Sequence, residues 1–415
     1  MSGFFFPERK QKVQTFNSFV GRGNTCSTCG RYRGCKTPRM KPFGGFKKKI
    51  MLLVESPSVT DDKLGEPLKS RHGKKIVRAL KQIGVDVASD CLVVYSVACY
   101  SEEKVKPKEI LCCKTKLVQT IRQHKPNVII PFGGESLDAL IGHYWKKNIS
   151  GIQNWRGWQI PDRNYQAWVC PVFAPWFIEQ SEEKYSNMAE NLWLEDLTSA
   201  ISIQEQIQFS DDTKCIHYVE NNEDFRQAIK EINRAPWVSF DYETTGLKPH
   251  APGHEIICVS VAVSSKKVFV WENDEYRAKV WSMILKKGKI KKSSHNLSFE
   301  QLWSAVLMKT RVRGWDWCSM NTAHILDNRQ GICGLKFQAY VNFGVIDYNS
   351  QIEPYLESPP DQGANAKNRI KEFIKKFGIK PVLTYCALDS LYGYWLTEKQ
   401  KQDIENKVAN ELIPF

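Results

Sequence analysis

No apolar run in this chain of 415 residues approaches the ~18 residues of a membrane-spanning helix, which excludes a helical membrane anchor. The opening Met-Ser-Gly-Phe-Phe-Phe-Pro, Met1 to Pro7, is too short for a secretory signal. The expectation is a soluble, cytoplasmic protein with no membrane partner. Acidic residues are in short supply, 45 Asp and Glu against 59 Lys and Arg, leaving a net charge of +14. That excess points to a polyanionic partner, nucleic acid first. An intracellular setting also argues against a disulfide framework for the thirteen cysteines, so clustered ones are read as metal or cluster ligands. The length suits about two domains.

Residues 1–49 are basic, Gly-rich and irregular, with Cys26-Ser27-Thr28-Cys29, Cys35 and Lys47-Lys48-Lys49. A Cys-x2-Cys knuckle lets two thiolates reach one metal; alone it does not separate zinc from an iron–sulfur cluster. From Ile50 short apolar strands alternate with helices. Strands are expected at Ile50–Glu55, Leu92–Val97, Asn127–Pro131 and Trp168–Phe173, and helices at Lys75–Ile83, Pro107–Gln123 and from Gly133-Gly134 to Ile141. Such alternation predicts a parallel sheet covered on both faces. Residues 200–215 are polar and lack a core pattern, so the domain boundary is placed there, giving domains over 1–205 and 215–415.

The first region resembles the family-4 uracil-DNA glycosylases. The likeness rests on the Cys-x2-Cys start, the strand followed by Glu55-Ser56-Pro57, Gly65-Glu66-Pro67, Val97-Ala98-Cys99, Pro107-Lys108-Glu109-Ile110 leading to Cys113, and Lys125 to Ile130 followed by Gly133. It implies an α/β/α sandwich and a 4Fe–4S cluster held by Cys26, Cys29, Cys99 and Cys113, with Zn2+ as the alternative. Cys35 and Cys112 are extra and leave other ligand sets open. Four cysteine ligands leave no open iron, so the cluster is expected to be structural. The glycosylase chemistry departs from the family. Val54-Glu55-Ser56-Pro57-Ser58 replaces both glycines of its first motif, where glycine allows close backbone approach to a ligand. The uracil-stacking phenylalanine falls at Leu68, the base-reading asparagine near Tyr95, and the His-Pro-Ser motif is Ala174-Pro175-Trp176. An enzyme that must flip and read a base is not expected to survive the loss of stacker, reader and histidine.

In the second half, Val238 to Leu247 reads Val-Ser-Phe-Asp-Tyr-Glu-Thr-Thr-Gly-Leu. Asp241 and Glu243 are two apart on a strand, hence on one face. Two acids side by side repel unless a cation sits between them, and oxygen ligands suit magnesium or manganese; taken alone, the spacing more often marks a strand end with two solvated acids. Glu255–Val263 and Lys267–Trp271 read as an antiparallel pair. The Lys286–Lys292 run, just before the next motif, is a candidate phosphate contact. His295 to Glu300 opens an amphipathic helix, and a helix over Pro381–Leu396 places Tyr385 and Asp389 on one face.

These motifs, in this order, with further likeness at His324-Ile325-Leu326-Asp327 and Gly334-Leu335-Lys336, resemble the tyrosine subclass of DEDD-type 3'–5' exonucleases, the proofreading domain of family A DNA polymerases. The resemblance implies a ribonuclease H-like mixed sheet and a two-metal site. Asp241, Glu243, Glu300 and Asp389 would hold two Mg2+ or Mn2+ ions, and Tyr385 would orient the attacking water. Asn296 and Phe299 would support the second motif, and Leu247 would pack against terminal bases. Glu300 stands where the family has aspartate, one methylene longer but still a hard oxygen ligand. The expected function is hydrolysis of single-stranded or frayed DNA 3' ends, proofreading for a separate or truncated family A-like polymerase. The order of the two domains resembles the front end of some bacteriophage DNA polymerases, implying a phage protein in a host cytoplasm. Alternatives are a non-catalytic DNA-binding replication scaffold and a bifunctional glycosylase–exonuclease.

Overall fold

The computed structural model describes residues 25–411 apart from 101, 146–150, 186, 204–206, 208, 210, 347, 349 and 360–365. Residues 1–24 and the last four, including Pro414 and Phe415, lie outside the described residues. The chain divides between Phe209 and Ser210 into two compact units, with Tyr340–Ile346 grouped with the first.

The first unit is built on a five-stranded sheet of β1 (Ile50–Val54), β2 (Cys91–Tyr95), β3 (Val128–Pro131), β4 (Ile160–Asp162) and β5 (Ala167–Val169), in the order β2-β1-β3-β5-β4. β2, β1, β3 and β5 are parallel, and β4 adds an antiparallel edge. The near-continuous apolar runs of β1 and β2 fit a sheet buried on both faces, and both strands are buried almost throughout. Leu52, Ile130, Phe132, Ile76, Leu80 and Trp193 share the core. The strand expected over Trp168–Phe173 ends at Val169, because Pro171 has no N–H for the ladder; pairing resumes as a single bridge from Val172 to Phe132. The helix expected from Lys75 starts at Arg71, where Ser70 accepts from the Gly73 amide and caps it.

The second unit carries a six-stranded mixed sheet: β6 (Ile216–Tyr218), β7 (Trp237–Thr244), β8 (Ile256–Ser264), β9 (Lys267–Glu272), β10 (Lys291–Ser294) and β11 (Trp315–Cys318), ordered β11-β10-β7-β8-β9-β6. β8 runs antiparallel to β7 and β9, whereas β10 is parallel to both β7 and β11. Phe240, Tyr242, Trp271, Trp281 and Trp303 fill its core. The helix Lys380–Glu411 extends well past the expected Leu396. Among the described residues no helix is long and apolar enough to cross a membrane.

Candidate active site

The strand period sets the site. Asp241 and Glu243 point to one face of β7, and Tyr242 between them points into the core. There the Trp281 indole N–H donates to the Tyr242 hydroxyl at 2.9 Å, and Ser304 Oγ lies 2.9 Å from the same oxygen. Ser304 is one turn beyond Glu300 on the helix Leu297–Leu307, so this clamp ties the helix carrying Glu300 to the strand carrying the two acids. The β7–β8 register shifts between Glu243 and Thr244, a bulge at the carboxylate end of the strand. On the other side, the Ser260 hydroxyl of β8 donates to the Cys386 carbonyl at 2.7 Å and lies 2.6 Å from Ser390 Oγ. That seats the Lys380–Glu411 helix so that Tyr385 and Asp389 meet the acids of β7.

Ligand atoms of Asp241, Glu243 and Cys386 lie within 4.8 Å of one another. Burial, reinforced by the charge of Asp389, pushes the Asp241 carboxyl well above its usual range. Burial and then Asp241 do the same to Glu243, which is 7% exposed. Tyr385 is raised by burial and then by Asp389, Glu243 and Asp241, so it stays a neutral phenol. Glu300 is 3% exposed and raised by burial and then by Asp241. Glu300, like Asp389, lies outside the tight group; Ser294 is its neighbour, and Glu300 Oε2 and Ser294 Oγ are both buried and unpartnered. Mutually repelling buried carboxylates with an orphaned oxygen fit a hard divalent cation, which would restore their charged forms.

Two side chains that motif reading leaves out join the cluster. Lys336 Nζ donates to Asp389 Oδ1 at 2.5 Å, and the Tyr348 hydroxyl donates to the same oxygen at 2.6 Å. Burial lowers the Lys336 pKa while Asp389 pulls the other way. Lys336 belongs to the Gly334-Leu335-Lys336 likeness, which marks the position without giving its contact; Tyr348 has no sequence signal. Asn296 adopts a left-handed conformation (φ 88°) at the start of its helix, and Phe299 packs against Trp303 at 5.8 Å between ring centroids. Leu247, 59% exposed, follows the acids on the same segment.

The Lys286–Lys292 run is placed elsewhere. Lys291 pairs with Trp237, at the start of β7 and roughly 13 Å of strand from Asp241. Lys292 is fully buried, its ammonium donating to the carbonyls of Lys287, Ile290 and Arg313. It is a structural residue, not a phosphate contact.

In the first unit, Cys26 and Cys29 sit on a one-turn helix capped by Thr25, and Cys113 on the helix Pro107–His124. An Arg31–Glu109 ion pair links the two segments. Burial first, and then Cys35, Cys113 and Cys26, together raise Cys99 to about 11. The Arg39 amide donates to Cys99 Sγ at 3.3 Å. Cys113 is raised to about 11 by burial, with Cys29, Cys26 and Cys112 adding to it. The four expected ligands are thus neighbours, with Cys35 and Cys112 beside them, but among the described residues their sulfurs form no group as tight as the acidic one. A donor set of thiols supported by backbone N–H fits an iron–sulfur cluster or zinc.

The positions that correspond to the glycosylase motifs make structural contacts. Ser58 caps the helix Val59–Leu64 in a reciprocal box with Asp61. The Tyr95 hydroxyl donates to Asp61 Oδ2 at 3.1 Å and accepts from the Leu68 amide at 3.3 Å, and Leu68 is buried in the core. Glu55 packs its carboxyl against Gly133, and burial followed by the charge of Glu135 pushes it up to about 8.

A parallel-sheet domain followed by a mixed-sheet domain with a converging acidic site defines the class: a two-domain α/β protein with a nuclease-type centre. The uracil DNA glycosylase superfamily model matches residues 42–198 and the 3'-5' exonuclease model residues 216–405, so the chain carries one domain of each kind, in that order. It is 30% identical over 100 residues to a type-4 uracil-DNA glycosylase of Pyrobaculum aerophilum, covering 24% of this chain and 50% of the relative. With the type-4 enzyme of Archaeoglobus fulgidus it shares 25% over 123 residues, 29% of this chain and 61% of the relative. The chain thus spans only about half to three-fifths of the curated relatives it matches. Solved structures similar to it include Brucella melitensis NrnC (18% identity, 46% of this chain and 81% of that one, TM-score 0.30) and Escherichia coli RNase D, an exoribonuclease (12%, 48% and 46%, TM-score 0.32).

Proposed function

We propose that the second domain is a metal-dependent 3'–5' exonuclease that acts on single-stranded or frayed DNA ends and proofreads for a family A-like polymerase, in the same polypeptide or in trans. A bacteriophage setting belongs to the proposal by analogy of domain order. What supports the reading is the meeting of Asp241 and Glu243 from β7 with Tyr385 and Asp389 from a segment some 140 residues later, which a solvated strand end would not produce.

Asp241, Glu243, Asp389 and Glu300 would hold two Mg2+ or Mn2+ ions, which when bound offset the negative charge building on the attacking and leaving oxygens of the phosphodiester. The neutral Tyr385 hydroxyl orients the attacking water by a hydrogen bond. Exposed Leu247 packs against the terminal base. In the first domain Cys26, Cys29, Cys99 and Cys113 hold a cluster that ties the N-terminal segment to the sheet, and the domain contributes DNA-contacting surface without base excision.

The test is release of mononucleotides from a labelled single-stranded DNA 3' end with Mg2+ or Mn2+. Loss of release in Asp241→Ala is expected. No release by the wild type, or equal release by Asp241→Ala, sinks the reading. RNA substrate run in parallel reports the preference, and uracil release from uracil-containing DNA would reinstate the bifunctional alternative.

A further inference from the structure

We propose that Lys336 is the resident counter-ion and positioning residue of the acidic cluster: its ammonium orients Asp389 and sets how tightly Asp241, Glu243 and Asp389 hold a cation. The inference rests on the nuclease reading and adds to it a residue that reading does not require.

The geometry is a closed triangle. Lys336 Nζ lies 2.5 Å from Asp389 Oδ1 and 2.6 Å from the Tyr348 hydroxyl, and that hydroxyl lies 2.6 Å from the same Oδ1. Two donors on one carboxylate oxygen fix the rotation of the group and so decide how the rest of it is presented. The ammonium also sits 3.9 Å from the Tyr348 ring centroid and 4.2 Å from that of Tyr385. Aromatic faces hold a cation electrostatically and leave it little room to swing away. Its charge reaches Glu243 and Asp241 as well as Asp389. An ammonium with only a quarter of its side chain exposed gives up hydration, and the three carboxylates are what repay it.

Three charged carboxylates sum to −3 and the ammonium brings them to −2, weakening their pull on a divalent cation. Such a cation would compete with Lys336 for Asp389 and be repelled by it. Removing the ammonium should therefore strengthen cation binding while loosening Asp389 and slowing turnover. A packing role would not move the two in opposite directions.

The experiment uses the full chain, stripped of metal, with Mn2+ alone titrated and free Mn2+ read by electron paramagnetic resonance. Lys336→Met is expected to bind Mn2+ about tenfold more tightly while releasing nucleotides from a single-stranded 3' end about tenfold more slowly. Lys336→Arg should return affinity toward the wild type, and Tyr348→Phe, which loosens Asp389 but keeps the charge, should not tighten Mn2+ binding. Lys336→Gln carries the same expectation if the methionine variant does not fold. Equal or weaker Mn2+ binding by the uncharged variants overturns the inference. A wild type that binds no Mn2+, or whose binding survives Asp241→Ala, overturns the nuclease reading itself and the inference with it.

Discussion

Replacing Asp241 by asparagine should make the metal-free protein more stable while removing its activity. The ligand oxygens of Asp241 and Glu243 lie within 4.8 Å. Two unit charges at that separation repel by about 3 kcal/mol at an effective dielectric near 20. Partial protonation and the Lys336 ammonium relieve some of this, so asparagine should recover about 1–3 kcal/mol at pH 8. For a domain of this size that is a rise of about 3–8 °C in melting temperature. The pH dependence follows from the direction of the shifts. The carboxyl pKa values of Asp241, Glu243 and Glu300 are raised in the fold, so the folded state binds more protons than the unfolded chain. Their effect on stability is absent below the unfolded carboxyl range and becomes more unfavourable as pH rises through the folded values. The advantage of Asp241→Asn should therefore be small near pH 4 and grow toward pH 8. With saturating Mn2+ the order should reverse, because only the wild type gains binding energy from the ion. Calorimetry of both proteins in chelator and in Mn2+, at three pH values, follows the transition that Mn2+ shifts. A variant that melts at or below the wild-type temperature in chelator at pH 8, or that keeps the full Mn2+ gain, refutes the reasoning.

Glu300→Gln should slow nucleotide release by about 10²-fold and cost less than Asp241→Asn, since Glu300 stands outside the tight group; equal losses in single-turnover assays would place it inside. Cys99→Ala should abolish the visible absorbance of anaerobically purified protein and lower the melting temperature of the first domain, whereas a colourless wild type containing zinc would replace the cluster by Zn2+. Tyr95→Phe leaves the buried Leu68 amide without its acceptor and takes one of three donors from Asp61, which keeps the Ser58 and Lys69 amides, so it should destabilise the first domain by about 1–3 kcal/mol in denaturant melts, and no uracil excision should appear.

The strand–helix alternation of the first domain was legible because fully buried parallel strands read as unbroken apolar runs, and β1 and β3 lie where those runs predict. What escaped was local chemistry: the Ser70 cap moved a helix start, and Pro171 cut a strand short. In the second domain strand and helix periods place Asp241 with Glu243 and Tyr385 with Asp389 on one face each, but that the two pairs belong together was implied only by the resemblance of the ordered motifs to the exonucleases. Lys336 and Tyr348 were not legible as partners of Asp389, because a contact between residues 53 and 41 positions away depends on how loops return to the sheet. At Lys291 and Lys292 the lysine run lies away from the acids for the converse reason. Adjacency in sequence to His295 counted for less than the parallel register of β10, which lays the run beside the far end of β7.

Tyr242 has a consequence for how the gene can change. Its side chain occupies the core between two carboxylates that must not, and its hydroxyl is received only where Trp281 and Ser304 meet it. An insertion or deletion of one codon within β7 would turn the strand over, pressing Asp241 and Glu243 into a bed of tryptophan and phenylalanine at a cost of several kcal/mol. Such a product would fail to fold before its catalysis could be tested. Loss of folding thus guards the strand phase of the site, because a slipped strand fails before its acids could be presented.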